Sequence, residues 1–261
     1  MRLFLFFLLS VFYFLLTAQE DKQKQKFVNH ILWINIPDLS NEGLLDANCP
    51  NIKFTASKGL VNYQVINPEN KDHYQAMLFS CNGENIMQAL EKNNPDAKTA
   101  AFSSDKKLIK QLSGLDFVKK GSSDVEITEL AYEYLRDERP NFLFINYSGV
   151  QNAFKKEGNV KSEAYQFAVE EVDVMLSGLF KGLIESRLYN SAAIVISSSS
   201  NISDNNNGLL LIQADGIIEA GTKLDVSISS ERIMPTISEL IGGIPEFNCS
   251  EKSLLQLLNK H

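Results

Sequence analysis

The feature that most constrains this chain is a set of apolar runs that stop abruptly at polar residues. Residues 27–36 read FVNHILWINI, residues 141–147 read NFLFINY, and residues 192–198 read AAIVISS. A strand wetted on one face alternates apolar and polar residues, whereas a run apolar throughout fits a strand buried on both faces of a parallel sheet. The segment joining the second and third runs carries Tyr165, Val169, Val172, Leu176, Leu179 and Leu183 at helical spacing, behind Ser162 as N-cap. Shorter strands are expected over 60–66, 99–102, 115–118 and 209–213, with an edge strand over 224–228. Helices are expected over 51–58 (closed by Gly59), over 104–112, and over 124–137 with Asp124 as N-cap. An amphipathic helix over 231–241, stopped by Gly242 and Gly243, ends the series. Residues 74–79 and 83–93 also read as helical. Strands alternating with helices define an α/β chain, here a three-layer αβα sandwich with a mainly parallel central sheet. No repeat, low-complexity linker or composition shift divides residues 27–261, which are expected to form a single domain.

Residues 1–19 have another character: one basic residue, an apolar run and a small-residue exit at Thr17 and Ala18. This is the pattern of a secretory signal peptide, and it implies an exported protein, secreted, periplasmic or at the cell surface. The alternative is an uncleaved anchor, the run being barely long enough to span a bilayer. Export would place Cys49, Cys81 and Cys249 in an oxidising compartment, where one disulfide and one odd thiol are expected, Cys49 with Cys81 being one pairing to consider. Their spacing is not that of a zinc site. The sequons at Asn146, Asn201 and Asn248 matter only in a host that glycosylates them. With 25 basic against 32 acidic residues and no basic patch visible, nucleic-acid binding is not expected.

In an open α/β sheet, ligand sites lie beyond the carboxyl ends of the strands. Here those ends are the loops after Ile36, after Tyr147 and after Ser197. Together with the closing run ERIMPTISELIGGIP, they resemble the alkaline phosphatase superfamily, most closely its type I phosphodiesterase and nucleotide pyrophosphatase branch. The resemblance spans roughly residues 29 to 256. It implies two zinc ions and a Thr or Ser nucleophile, because paired metals activate the nucleophile and stabilise the attacking and leaving oxygens. The closing run is similar to D-x-x-P-T-[IL]-x-x-L-x-G, with Arg232 in place of the Asp.

The ligand positions implied by the resemblance depart from it throughout. The Asp ending the first strand corresponds to Pro37, with Asp38 one position late. The nucleophile of P-T-x-[ST]-x-P-N falls on Asn70. In L-D-x-x-D-x-x-G-H, Gln151 stands for a ligand Asp and Lys155 for a ligand His. In T-[SA]-D-H-G, Ser199 and Ser200 replace Asp and His. The final His has no counterpart near 204–208, since no His lies between His73 and His261. Neutral amides and hydroxyls cannot balance two dications, and Lys155 would repel them. The resemblance therefore implies a scaffold without catalytic residues, without zinc or another cofactor, and with the family's cap domain reduced or absent.

Other residues invite a sharper reading. Asp38, Asp72 and His73 are candidates for a relocated metal site and thus a weak metal-dependent phosphoester hydrolase, though one imidazole is few donors for a metal centre. Residues 197–200 are a run of serines, but no base lies nearby in sequence, so a plain strand-end loop is the simpler reading. His30, inside an apolar strand, reads as a satisfied core histidine. Lys155 and Lys156 are candidates for holding an anion at the cleft, against the ordinary alternative of solvated lysines. The expected partner is a protein or small ligand bound at the cleft or along a surface, with membrane contact only through an uncleaved leader.

Overall fold

The computed structural model describes residues 27–67, 90, 94–112, 114–198, 207–242 and 251–258. The leader, Asn70, Asp72, His73, Cys81, Ser199, Ser200 and Cys249 lie outside these residues, as do the helices expected over 74–79 and most of 83–93. Among the described residues the sheet has nine strands: β1 (His30–Asn35), β2 (Leu60–Ile66), β3 (Thr99–Ser103), β4 (Phe117–Lys120), β5 (Phe142–Asn146), β6 (Ala192–Ser197), β7 (Asn207–Gln213), β8 (Thr222–Lys223) and β9 (Ile228–Ser229). Their order is β4-β3-β5-β1-β6-β7-β2-β8, with β9 also on β2. From β4 to β6 every pairing is parallel; β7 runs against both β6 and β2. The expected three-layer, mainly parallel architecture is therefore present.

Two apolar layers explain the uninterrupted runs. Leu32, Ile34 and Ile36 point to one face, against α1 (Asn41–Asp46), α2 (Pro50–Ser57), α4 (Asp124–Glu138), α5 (Gly149–Glu157) and α6 (Glu163–Glu185). Ile31 and Trp33 point to the other, against α3 (Lys106–Gln111), α7 (Ile233–Leu240) and α8 (Leu255–Leu258). Successive strand residues alternate faces, so a strand covered on both sides is apolar on both faces rather than alternately polar. Trp33 anchors the second layer, edge-on to Phe144 with ring centroids 5.1 Å apart. Among the described residues no helix is long and apolar enough to cross a membrane.

Several local expectations change. The edge strand expected over 224–228 is instead the two short pieces β8 and β9, because the Asn62 side chain donates to the carbonyls of Leu224 and Val226 and holds the stretch between them out of the ladder. Gly59 is not a helix cap. A Cβ there would lie 1.9 Å from the Ile212 carbonyl oxygen, so the glycine lets the chain enter β2 hard against β7. Ser123, not Asp124, caps α4, accepting from the Glu126 amide at 3.2 Å. The helix expected over 231–241 begins with a 3-10 turn at Ser230–Arg232, and both the apolar and the polar residues of α7 are buried. The segment after Tyr147, read as a loop, is helix α5.

Candidate site at the carboxyl edge of the sheet

Four neighbouring strands each end in a polar residue, and the register aligns them: Ser103 of β3 with Asn146 of β5, Asn146 with Asn35 of β1, and Asn35 with Ser197 of β6. All four are buried. The Asn35 amide donates to Asn146 Oδ1 at 2.7 Å, and Asn146 donates on to Ser103 Oγ at 3.2 Å. Ser197 Oγ donates to Asn35 Oδ1 at 3.2 Å and accepts from Trp33 Nε1 at 2.8 Å. Ser103 Oγ also accepts from the Asp105 amide at 3.0 Å, at the start of α3. The outcome is a neutral polar rung sealing the sheet beneath the strand-end loops, each amide oriented by its neighbour. Inside a low-dielectric core such a network is stable only when its members pair, as these do. Since Asn146 lies in the rung, its sequon is not accessible in the folded chain.

The loop after β1 turns at once. Pro37 follows Ile36 and is buried; Asp38 has φ 62°, in the left-handed region, and is also buried. Side-chain alternation along an extended strand therefore ends before Asp38, and the kink that its one-residue offset would require is present. The Asp38 carbonyl accepts from the Tyr165 hydroxyl at 2.8 Å, and that hydroxyl accepts from the Ser40 amide at 3.0 Å. Burial pushes the Tyr165 phenol up, opposed by its Ser40 hydrogen bonds.

After β5 the chain enters α5. Tyr147 is buried with its hydroxyl 2.8 Å from Thr128 Oγ1, and burial drives its phenol well above the usual range. At the helix start sits a carboxylate from elsewhere: Asp124, on α4, accepts from the Ser148 amide at 2.9 Å and from the Gly149 amide at 2.7 Å. These amides are the unpaired donors that make a helix N-terminus favourable for an anion, and here the protein supplies it. A Cβ at Gly149 would come within 3.0 Å of Asp124 Oδ2, so the glycine makes room for the carboxylate. Ser148 Oγ lies 2.9 Å from Ser104 Oγ, tying this loop to the one after β3.

Gln151 and Lys155 stand one turn apart on α5, and Lys155 Nζ donates to Gln151 Oε1 at 2.8 Å. Lys155 is exposed; Lys156 beside it pairs with Glu157 at 3.4 Å. An amide and an ammonium joined in this way are poor ligands for a dication, because zinc is held by thiolate, imidazole or carboxylate. Among the described residues no three His, Cys, Asp or Glu side chains form a group able to hold a metal. This part of the edge does not fit the two-zinc arrangement. Of the other candidates, Asp38 is the only member of the proposed relocated trio among the described residues. His30 lies at the far end of β1, its Nδ1 2.8 Å from the Pro140 carbonyl oxygen, which satisfies the ring from within the fold. Cys49 is a buried free thiol at the start of α2.

At the other flank, Arg232 pairs with Glu251 at 2.6 Å and donates to the Lys252 carbonyl. Thr236 Oγ1 accepts from the Leu254 amide at 2.9 Å. Both residues of the closing motif thus bind the following chain segment to α7. Sequence reading missed the Asp124 contact, because its partners lie 24 and 25 residues away. The rung had a signal, since HILWIN, TAAFS, FLFIN and AAIVIS all close on Asn or Ser.

A mainly parallel sheet between two helical layers, with loops gathered at its carboxyl edge, is the architecture of alkaline-phosphatase-like α/β proteins. LtaP, the lipoteichoic acid synthase from Listeria monocytogenes, superposes with a TM-score of 0.66 at 14% identity, covering 87% of this chain and 76% of that one. A putative sulfatase from Bacteroides thetaiotaomicron gives 0.67 at 12%, covering 89% and 75%. Ps i-CgsB, solved with k-i-k-neocarrahexaose, gives 0.67 at 13%, covering 89% and 76%. At such identities the likeness is one of fold. No curated protein matches the chain in sequence. The chain belongs to the type I phosphodiesterase / nucleotide pyrophosphatase family, whose model matches residues 53–236.

Proposed function

We propose that this protein is an exported, non-catalytic member of its family, a pseudoenzyme that keeps the scaffold to bind a protein or small ligand. The observation that carries the reading is the hydrogen bond between Gln151 and Lys155, the positions where the family resemblance calls for a ligand Asp and a ligand His. A positive charge where a dication would sit opposes metal binding rather than merely weakening it. Two features support the same reading: the neutral rung across β3, β5, β1 and β6, and the Asp124 carboxylate capping α5. Asn70, Ser199 and Ser200, at the nucleophile and remaining ligand positions, offer no carboxylate or imidazole. An anion held by Lys155 and Lys156 is the simplest small ligand for such a cleft.

Asp38 favours a second reading. A buried carboxylate on a left-handed residue directly after β1 is where a relocated metal site with Asp72 and His73 would begin, making the protein a weak metal-dependent phosphodiester hydrolase. One experiment separates the two. Bound zinc is measured on the purified full chain, and turnover of bis(4-nitrophenyl) phosphate is followed with and without added zinc. The pseudoenzyme reading expects no stoichiometric zinc and no turnover above background. Stoichiometric zinc with chelator-sensitive turnover, abolished by Asp38→Asn, would overturn it.

A further inference from the structure

Helices α4 and α6 pack side by side, and the seam between them opens outward as a groove of about 290 Å³. Val125, Thr128 and Tyr132 of α4 form one wall and Met175 and Gly178 of α6 the other, and the surface they present is almost wholly apolar. At its margin Val125 is 56% exposed and Val174 69%. Two glycines lie inside α6. Packing accounts for Gly182, where a Cβ would stand 3.1 Å from Tyr132 Cδ2. It does not account for Gly178, where a Cβ would meet Thr128 Cγ2 at 3.9 Å, an ordinary contact, so the fold itself would accept alanine. Glycine inside a helix lowers stability relative to alanine. What the missing side chain provides is access: it keeps the floor of the groove low enough for another helix to approach closely.

Charge around the groove selects the occupant. Lys181 lies 3.7 Å from Glu185, which also accepts from the Tyr132 hydroxyl at 2.6 Å, and Arg136 is paired with Asp137, so the basic groups are offset within the fold. Glu129 lines the groove, Glu133 follows one turn along α4, and Glu171 precedes Met175 by one turn on α6. All three are exposed and have no ion-pair partner among the described residues. An apolar trough bordered by uncompensated carboxylates is complementary to an amphipathic helix with lysine or arginine beside its apolar stripe. A second copy of this chain would bring the same three carboxylates to the seam, which like-charge repulsion disfavours.

We propose that the α4–α6 groove is a docking site for a basic amphipathic helix of another protein, its apolar stripe lying over Gly178 and its cations facing Glu129, Glu133 and Glu171. The site lies on the helical layer rather than among the strand-end loops, so it stands whether or not the cleft retains chemistry.

The test uses the full chain and three fluorescein-labelled peptides of about 16 residues, long enough for about four helical turns. The first has leucines along one helical face with lysines on either side. The second has glutamates in place of the lysines, and the third keeps the lysines in a scrambled order that forms no apolar stripe. Fluorescence anisotropy should show saturable, micromolar binding of the first alone, weakening as salt rises from about 0.01 to 0.5 M. The double variant Glu129→Lys with Glu171→Lys, at two exposed positions, should turn the preference towards the glutamate peptide. Gly178→Leu, which fills the groove, should weaken the lysine peptide roughly tenfold. Gly178→Ala should raise the melting temperature and weaken binding less, and it carries the test should the leucine variant fail to fold. The proposal is overturned if the lysine peptide does not saturate, if the scrambled or glutamate peptide binds as tightly, or if the folded Gly178 variants bind as the parent does. A monomer–dimer equilibrium abolished by Gly178→Leu would overturn it too, by assigning the groove to a second copy.

Discussion

Replacing Asn35 by Asp changes almost no volume but puts a carboxylate at a fully buried position in the rung. One new oxygen can still accept from Ser197 Oγ, now 3.2 Å from Asn35 Oδ1. The other faces Asn146 Oδ1, now 2.7 Å from the Asn35 amide nitrogen. Two acceptors meet there unless the new carboxyl is protonated and donates. Rotating the Asn146 amide would bring one neutral donor to the charge, at the expense of the present bond to Ser103. Even so, desolvation at full burial remains, and a rise of about 2–3 units above the unfolded value near 3.9 is expected. At 1.36 kcal/mol per unit this amounts to about 3–4 kcal/mol. The sign follows from the raised folded pKa: the variant carries no ionisation penalty below about pH 4, loses stability as the pH climbs towards the folded pKa, and stays at the full deficit above it. For a domain of this size the Tm gap to the parent should widen by roughly 6–16 °C between pH 4 and pH 8. Paired thermal melts across that range check it. A gap that does not change with pH would refute a closed, dry rung.

Two further outcomes follow from other contacts. Asp124→Ala should cost about 2 kcal/mol in urea unfolding, since it leaves the Ser148 and Gly149 amides without their charged acceptor, and amide exchange over 149–152 should accelerate relative to α6. Burial raises the Cys49 thiol, so it should resist a disulfide reagent such as DTNB at pH 8 in the native protein and react promptly once unfolded; prompt native labelling would contradict its placement.

The architecture was legible because burial on both faces leaves a mark on every residue of a strand. The apolar runs at 30–35, 142–146 and 192–197 could only be central. Elements whose form depends on remote partners were not legible. Residues 224–228 have the composition of a strand, but the amide of Asn62, distant in sequence, takes their carbonyls. Gly59 looks like a helix terminator until β7 is placed against it. At the site, Pro37, Gln151 and Lys155 were singled out by resemblance to the family's motifs. That Lys155 satisfies Gln151 one turn back was implicit in their spacing of four, though it requires α5 to be a helix, and that segment was read as a loop. The contact from Asp124 had no local signal.

The strand order also bears on how the chain acquires its fold. The rung joins β1 to residues far along the chain: Asn35 to Asn146 across 111 positions and Trp33 to Ser197 across 164. Pairings over such separations make parallel sheets slow to form, because loop closure must precede any reward. At ordinary rates of synthesis, roughly 6–22 s pass between the emergence of Asn35 and that of its first rung partner. During that interval β1, a central strand buried on both faces, has neither neighbour. A chain delivered amino end first would therefore carry β1 exposed over that interval, so the exposure of this strand bears on aggregation during folding.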